Sequence, residues 1–302
     1  MVTEYTHPLM SHGMREEAPG MQPELRHGPP TKEHPVPLED MKIAIYIPAY
    51  NGASTIPMVL DRIPENIRRI AAEIFIVDNA SPDNTYLVGL GYAAQKGMTN
   101  LKVYRNQSNR GYGGSQKFAY QHCCDNGFDL VIMLHGDAQY APEKIPYLLE
   151  PFTTGEADMV FGSRMSGDPR AGGMPLHRYL GNIFLTNVEN WVLGWNLSEY
   201  HSGYRVYSCD ALKKIPFQKC SDAYHFDSEI LVQFAMSGLR VVERTIPTYY
   251  GTEKCYVNIW KYGVDVLLTM SEFLLHKKGW RYSEKFNVSQ PVVPTPVPAL
   301  AR

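Results

Sequence analysis

The sequence predicts an α/β protein with a mostly parallel sheet and helices on both of its faces. Two observations predict it. Short apolar, β-branched-rich runs alternate with helix-like stretches from residue 42 to residue 162, the order in which crossover helices join parallel strands. Polar or charged residues, Asn51, Asp78 and Asp137, stand just past three of those runs, and in open parallel sheets ligands gather beyond the carboxyl ends of strands.

Each element has its own signal. Lys42–Ile47 is a buried strand that stops at Pro48. Ser54 or Thr55 caps a helix running through Arg69. Glu73–Val77 is the second strand and stops at Asp78, followed by a helix over Asp83–Lys96 and a third strand, Leu101–Tyr104. Gly111–Gly114 is a glycine turn, and Ser115–Asp125 is a helix closed by Gly127. Leu130–Leu134 is the fourth strand, Pro142–Glu150 a helix and Met159–Gly162 the fifth strand. Beyond it the pattern is more mixed. Leu180, Phe184, Val188, Trp191 and Trp195 mark a helical stripe around Arg178–Leu193. Phe226–Ser237 is helical, Leu239–Thr245 a strand, and Val257–Leu275 an amphipathic helix followed by Lys277, Lys278 and Arg281.

Composition bounds the function. The chain has 302 residues, 44% hydrophobic and 20% charged, which is ordinary globular usage and enough to bury a proper core. A net charge of -2 gives no global field for nucleic acid. Five cysteines, two of them adjacent at Cys123 and Cys124, fit no zinc spacing and point to reduced cytosolic thiols. No secretory signal is visible, and the longest apolar candidate, Ile259–Leu275, is interrupted by Lys261, Asp265 and Glu272, so no membrane span is expected. Residues 1–40 and 287–302 are rich in proline and are expected to be flexible tails. They flank one domain at 41–255 and an amphipathic region at 256–286.

Five short motifs occur in order: Ile-Pro-Ala-Tyr-Asn (47–51), Val-Asp-Asn-Ala-Ser-Pro-Asp-Asn-Thr (77–85), His-Gly-Asp-Ala-Gln-Tyr (135–140), Gly-Ser-Arg (162–164) and Ser-Gly-Tyr-Arg (202–205). Together they resemble the motif series of the family 2 inverting glycosyltransferases, most of all the dolichol-phosphate mannose synthase branch, over roughly residues 42 to 260. The resemblance implies a single GT-A domain, a nucleotide-diphospho-sugar transferase fold. It implies transfer of a sugar from a UDP- or GDP-linked donor to a polyprenyl phosphate or a glycan, assisted by Mg²⁺ or Mn²⁺.

It also implies roles for residues. Pro48, Tyr50 and Asn51 match the nucleoside pocket, and Asp78 the carboxylate that binds the base, although Asp78 also suits a helix cap or turn. Asn79 stands where the family often has a second Asp. Gly111, in the turn 109–114, matches a stretch that can present N–H groups to an anion, or it only makes a tight turn. Lys117 faces either the crevice or solvent. Asp137 aligns with the family's metal-binding carboxylate and Gln139 with an auxiliary metal position, and His135, Gly136 and Asp137 are implied to bind the donor. His135 replaces the first Asp of the family motif, a departure that weakens metal binding unless the imidazole itself holds the metal or the ribose; imidazole suits Mn²⁺ better than Mg²⁺. Arg164 matches a basic residue near the donor. Glu199 matches the candidate general base, and Arg205 a residue that holds phosphate or forms a buried ion pair. Asp227 and Glu229 open a helix, and Lys254 is placed to close over the diphosphate. With Asp137 and Glu199 as the catalytic pair, the metal and a base share the work.

The helix Val257–Lys278 suits either core packing or a peripheral contact with a membrane surface, so the expected location is the cytoplasm, including the cytosolic face of a membrane. A non-catalytic nucleotide-sugar-binding or scaffold protein is the competing reading, supported by His135, and a soluble glycan or metabolite is the competing acceptor. A dinucleotide-binding dehydrogenase fits poorly, because the glycine turn follows the third strand and no acidic residue stands at the required distance after it.

Overall fold

The computed structural model describes residues 35–170, 172–247, 250 and 256–288. It contains one seven-stranded sheet. In chain order the elements are β1 (Ile43–Ala49), α1 (Ile56–Arg62), α2 (Glu65–Ile70), β2 (Ala71–Asp78), α3 (Thr85–Lys96), β3 (Leu101–Arg105), α4 (Gly111–Asp125), β4 (Leu130–Met133), α5 (Ile145–Thr153), β5 (Met159–Ser163), α6 (Leu176–Leu193), β6 (Arg205–Ser208), α7 (Cys209–Leu212), α8 (Phe226–Met236), β7 (Val241–Thr245) and α9 (Ile259–Lys277). The strand order is β3-β2-β1-β4-β6-β5-β7.

The first half matches the expected βα alternation, and the strand period of two explains why. On β1, Ile43, Ile45 and Ile47 enter one core with Ile56, Leu60, Ile145 and Leu149. Ala44 and Tyr46 enter the other, with Phe118, Tyr120, Phe226 and Phe234. Both faces are covered, so the strand is apolar on both sides.

Three features depart from the sequence reading. The helix expected through Arg69 is two helices, because Ile63 is extended (ψ 124°) ahead of Pro64; proline disfavours helical backbone at the residue before it. The segment Arg205–Ser208 is a strand, inserted antiparallel between β4 and β5. Residues 35–40, expected in the tail, belong to the fold: Val36 N–H donates to Thr153 O (2.9 Å), and Val36 and Leu38 pack against the first core. Residues 1–34 and 289–302 of the two expected tails lie outside the described residues, as does Lys254.

The glycine turn is better explained by packing than by anion binding. Gly111 opens α4 at φ 76°. Gly113 and Gly114 N–H both point at Asp222 O (2.8 and 3.4 Å), and a methyl group at Gly113 would overlap Ser221 O. Those donors are therefore committed to the 221–223 backbone, which can come this close only because Cβ is absent. Gly113→Ala is expected to cost about 1–3 kcal/mol by overpacking. A urea midpoint unchanged from wild type would refute this account of the turn.

Candidate active site

The strand order puts β1 between β2 and β4, so Tyr50, Asp78 and Asp137 follow three adjacent strand ends. Hydrogen bonds lock these ends together. Asn79 N–H donates to Ala49 O (2.9 Å), and Gly136 N–H to Pro48 O (3.2 Å). Asn51 N–H donates to Ser81 Oγ (2.9 Å), and the Thr55 hydroxyl donates to Gly136 O. The non-glycine residues with positive φ among those described are Asn51, Ala80 and Ala138 (56°, 58° and 64°), one just past each of these strands. A left-handed conformation costs an L-residue roughly 1–2 kcal/mol, and here the strain is confined to one crevice.

Asp78 is wholly buried. Its Oδ1 accepts from Ser81 N–H (2.9 Å), while Oδ2 has no hydrogen-bond donor and lies 3.5 Å from Arg105 Nε. An unfilled acceptor of this kind fits an incoming N–H group. Tyr50 packs edge-on against Tyr256, whose hydroxyl accepts from Asn51 Nδ2 (3.0 Å). The stretch leading into α9 therefore reaches over the end of β1. Asn79 turns out to be an organiser. Its Nδ2 donates to Asn109 Oδ1 and Gly111 O, and its Oδ1 accepts from Asn106 and Arg110 N–H. An aspartate has no donors for the first two, which accounts for asparagine here.

Past β4, Asp137 accepts from Gln139 N–H through Oδ1 (3.1 Å), and its second oxygen has no hydrogen bond among the described residues. His135 is gripped on one edge. Tyr112 donates its single hydroxyl proton to the Asp227 carboxylate (2.9 Å). His135 Nε2, 3.3 Å from the same oxygen, must then carry a proton and donate it. A Cβ on residue 203 would overlap this ring edge, so only Gly203 fits. Burial pushes the imidazole below its ordinary pKa despite nearby Asp137 and Asp227, so it is neutral. With Nε2 engaged, only Nδ1 of His135 is left to meet a donor or metal.

The structure bears on two sequence assignments here. Glu199, the expected general base, is wholly buried and accepts from Arg164 N–H (2.8 Å), the Arg164 guanidinium and Asn182 Nδ2 (2.7 Å). Burial alone would raise its pKa, but Arg164 and these donors hold it below the ordinary value. A carboxylate stabilised this way is a poor base; Glu199 positions Arg164. Arg205, for which the sequence left a phosphate contact and a buried ion pair open, is also wholly buried and forms the ion pair. It donates to Ser202 O and Tyr200 O (both 2.8 Å) and to Asp227 O (3.1 Å), and lies 3.5 Å from the Asp227 carboxylate. Four of its five N–H groups are used inside the protein, the fourth by Tyr207 OH, and its complete burial keeps it from a phosphate. Asp227, which the sequence left with a mainly structural role, is the hub joining Arg205 and Tyr112.

Arg164 Nη1 also donates to Tyr250 OH (2.9 Å), and the Arg178 guanidinium lies 5.9 Å from the centre of that ring. Arg178 Nε is buried without a hydrogen-bond partner. No sequence motif marks Arg178; its place in the first turn of α6 is what brings it to the crevice. Behind the motif loop, His201 Nδ1 meets Tyr262 OH of α9 (2.8 Å), and its Nε2 lies 3.3 Å from Glu189 Oε2. Burial pushes Glu189 up to about 8 and His201 down to about 4, so both are neutral at pH 7. Among the described residues, no group of three or more His, Cys, Asp or Glu side chains makes a metal site by itself, and no helix is long and apolar enough to cross a membrane.

The sheet order and the crevice beyond β1, β2 and β4 define a nucleotide-diphospho-sugar transferase of the GT-A kind. The chain belongs to glycosyl transferase family 2, whose family model matches residues 44–216. Among curated relatives, it is 28% identical over 204 residues to an undecaprenyl-phosphate mannosyltransferase of Micrococcus luteus, covering 67% of this chain and 82% of that one. It is 26% identical over 223 residues to a UDP-N-acetylglucosamine–dolichyl-phosphate N-acetylglucosaminyltransferase of Methanococcus voltae, covering 70% and 88%. Among solved structures, glucosyl-3-phosphoglycerate synthase of Mycobacterium tuberculosis with Mn²⁺, UDP-glucose and phosphoglyceric acid superposes with a TM-score of 0.58 at 19% identity, covering 82% of this chain and 84% of that one. That likeness confirms the fold. Family and relatives make the chain a nucleotide-sugar-dependent glycosyltransferase, and the non-catalytic scaffold reading falls away.

Two predictions follow from the buried pairs. Arg164→Met strands the Glu199 charge and is expected to cost about 3–5 kcal/mol, whereas Arg164→Met/Glu199→Met recovers most of it. Equal losses in urea denaturation at pH 7 would count against the pairing. Because the folded Glu199 pKa is depressed, its contribution is present above the unfolded value, about 4.3, and is lost as pH falls through the folded value. Glu189 behaves oppositely. Its raised pKa means that the folded state holds a proton the unfolded state has released, so stability falls as pH rises towards 8. Below about 6.5 the neutral His201 offsets this slope, since there the unfolded imidazole binds the extra proton. Glu189→Gln is therefore expected to gain about 1–2 kcal/mol on wild type between pH 6.5 and 8. Parallel stability curves for the two proteins across that range would show Glu189 to be ionised.

Proposed function

We propose that the chain is a metal-dependent inverting transferase that moves a sugar from a UDP- or GDP-linked donor to a polyprenyl phosphate. The observation that carries the acceptor class is the sequestration of Glu199. A hydroxyl acceptor needs a base, and the carboxylate at the expected base position is buried and bound by Arg164 and Asn182. A lipid phosphate arrives already anionic and needs little such help. The relatives whose names specify undecaprenyl and dolichyl phosphates support the same reading.

Each side chain then has a task. Asp78 Oδ2 accepts an N–H of the base, and Tyr50 and Asn51 frame the nucleoside. Asp137 offers an oxygen without a hydrogen-bond donor to a divalent cation, with Gln139 beside it and diphosphate oxygens and water completing the shell. A donor set of few protein oxygens suits Mg²⁺ or Mn²⁺. When bound, the cation neutralises charge on the leaving diphosphate. Arg178, with its buried, unpartnered Nε, meets the acceptor phosphate beside Tyr250 and Arg164. The lipid brings the protein to the cytosolic face of a membrane as a peripheral enzyme.

The test is incubation of purified protein with UDP- and GDP-sugars, Mn²⁺ or Mg²⁺, and a polyprenyl phosphate, followed by extraction of lipid-linked sugar. Chelation is expected to abolish transfer, and Asp137→Ala to lower turnover by about two orders of magnitude or more. Asp78→Asn is expected to raise the donor KM roughly tenfold with a smaller change in kcat. Transfer to a soluble hydroxyl acceptor in place of the lipid would overturn the acceptor assignment. Full activity of Asp137→Ala would overturn the metal assignment.

A further inference from the structure

Two helices carry apolar stripes that nothing in the described protein covers. On α6, Leu176, Leu180, Phe184 and Trp191 are more than half exposed; on α9, so are Trp260, Val264 and Leu268. The spacing of four or seven residues puts each set on one side of its helix. The opposite sides are buried: Leu185, Glu189 and Val192 on α6, and Val266, Met270 and Phe273 on α9. The helices pack side by side, with Gly263 of α9 against Leu185. Both stripes therefore face away from the body of the protein and form one surface.

We propose that this α6–α9 surface docks on an anionic lipid bilayer. Charge selects the bilayer over a second protein surface. The one carboxylate of α6, Glu189, is buried. The carboxylates of α9 are occupied, Asp265 by Lys261 (2.6 Å) and Glu272 by Lys285 (2.8 Å). The exposed charges left over, at and just past the C-terminal end of α9, are cations: Lys277, Lys278 and Arg281. Three of the four tryptophans, Trp191, Trp260 and Trp280, are more than seven-tenths exposed. Apolar stripes, ringed by tryptophan and lysine, are the composition that settles at the boundary of headgroups and acyl chains. The surface adjoins the crevice: Arg178 shares the first turns of α6 with Leu176 and Leu180, and Tyr262 of α9 holds His201. The inference extends the lipid-acceptor reading and is tested apart from it.

The full-length protein is sedimented with vesicles of phosphatidylcholine alone and of phosphatidylcholine with phosphatidylglycerol, with no donor or acceptor present. Wild type is expected to bind the anionic vesicles preferentially and to lose affinity as salt rises. Phe184→Glu/Leu268→Glu is expected to lower vesicle binding about tenfold or more. Both positions are exposed, so folding is expected to persist, which circular dichroism checks. The same variant is expected to keep wild-type turnover on a short-chain, detergent-dispersed polyprenyl phosphate, because neither residue touches the crevice. Wild type that ignores both vesicles, or a variant that binds as well as wild type, would overturn the docking surface. So would a wild-type dimer that the variant converts to monomer, since the occupant would then be a second copy. Vesicle binding without transfer to any polyprenyl phosphate would instead sink the acceptor reading and leave the surface standing.

Discussion

Arg205 is the interaction on which the rest of the site depends. It is the largest fully buried side chain of the described protein and opens β6, opposite Met133 of β4 and Phe161 of β5. Its guanidinium gathers the carbonyls of Tyr200, Ser202 and Asp227. A buried arginine is tolerable only when its donors are matched, so the loop from Glu199 to Tyr204 must fold around it. That loop carries the Glu199 carboxylate to Arg164 and sets Gly203 under the His135 ring. Asp227, on α8, closes the network through Tyr112 to His135. One charge thus organises three segments far apart in the chain.

The crevice shows a division of labour between rigid and unfilled groups. Asn79, Glu199, Arg205 and Asp227 have their hydrogen-bonding capacity largely used by the protein. Asp78 Oδ2 and Arg178 Nε are buried without a hydrogen bond, and the second oxygen of the half-buried Asp137 has none among the described residues. Satisfied groups set geometry, and unsatisfied buried ones cost stability until something binds. The positive φ angles at Asn51, Ala80 and Ala138 belong to the same economy. Loops held in strained conformations at adjacent strand ends give a preformed site.

The departure at His135 becomes intelligible in this setting. A carboxylate in its place would lie beside the half-buried Asp137 and near the buried Asp227, adding a third negative charge. A neutral imidazole donates to Tyr112 instead and fills the space above Gly203. The first position of the motif has become part of the scaffold, and Asp137 stands as the carboxylate available to a cation.

The sequence alone determined the parallel half of the sheet, since period-two burial on β1, β2 and β4 is a local pattern that both cores read directly. It also determined that Asn51, Asp78 and Asp137 share a crevice, because strand ends and motif order are local facts, and it pointed to the family through those same motifs. Only the tertiary structure decided β6, a four-residue strand whose pairing lies between segments more than 40 residues away in each direction of the sheet. It alone decided that Glu199 and Arg205 are committed to Arg164 and Asp227, and that Arg178 Nε is left without a hydrogen-bond partner. Whether an ionisable side chain binds a ligand or a neighbour depends on which partners long-range folding brings within hydrogen-bond reach, and residue type and motif spacing do not encode that.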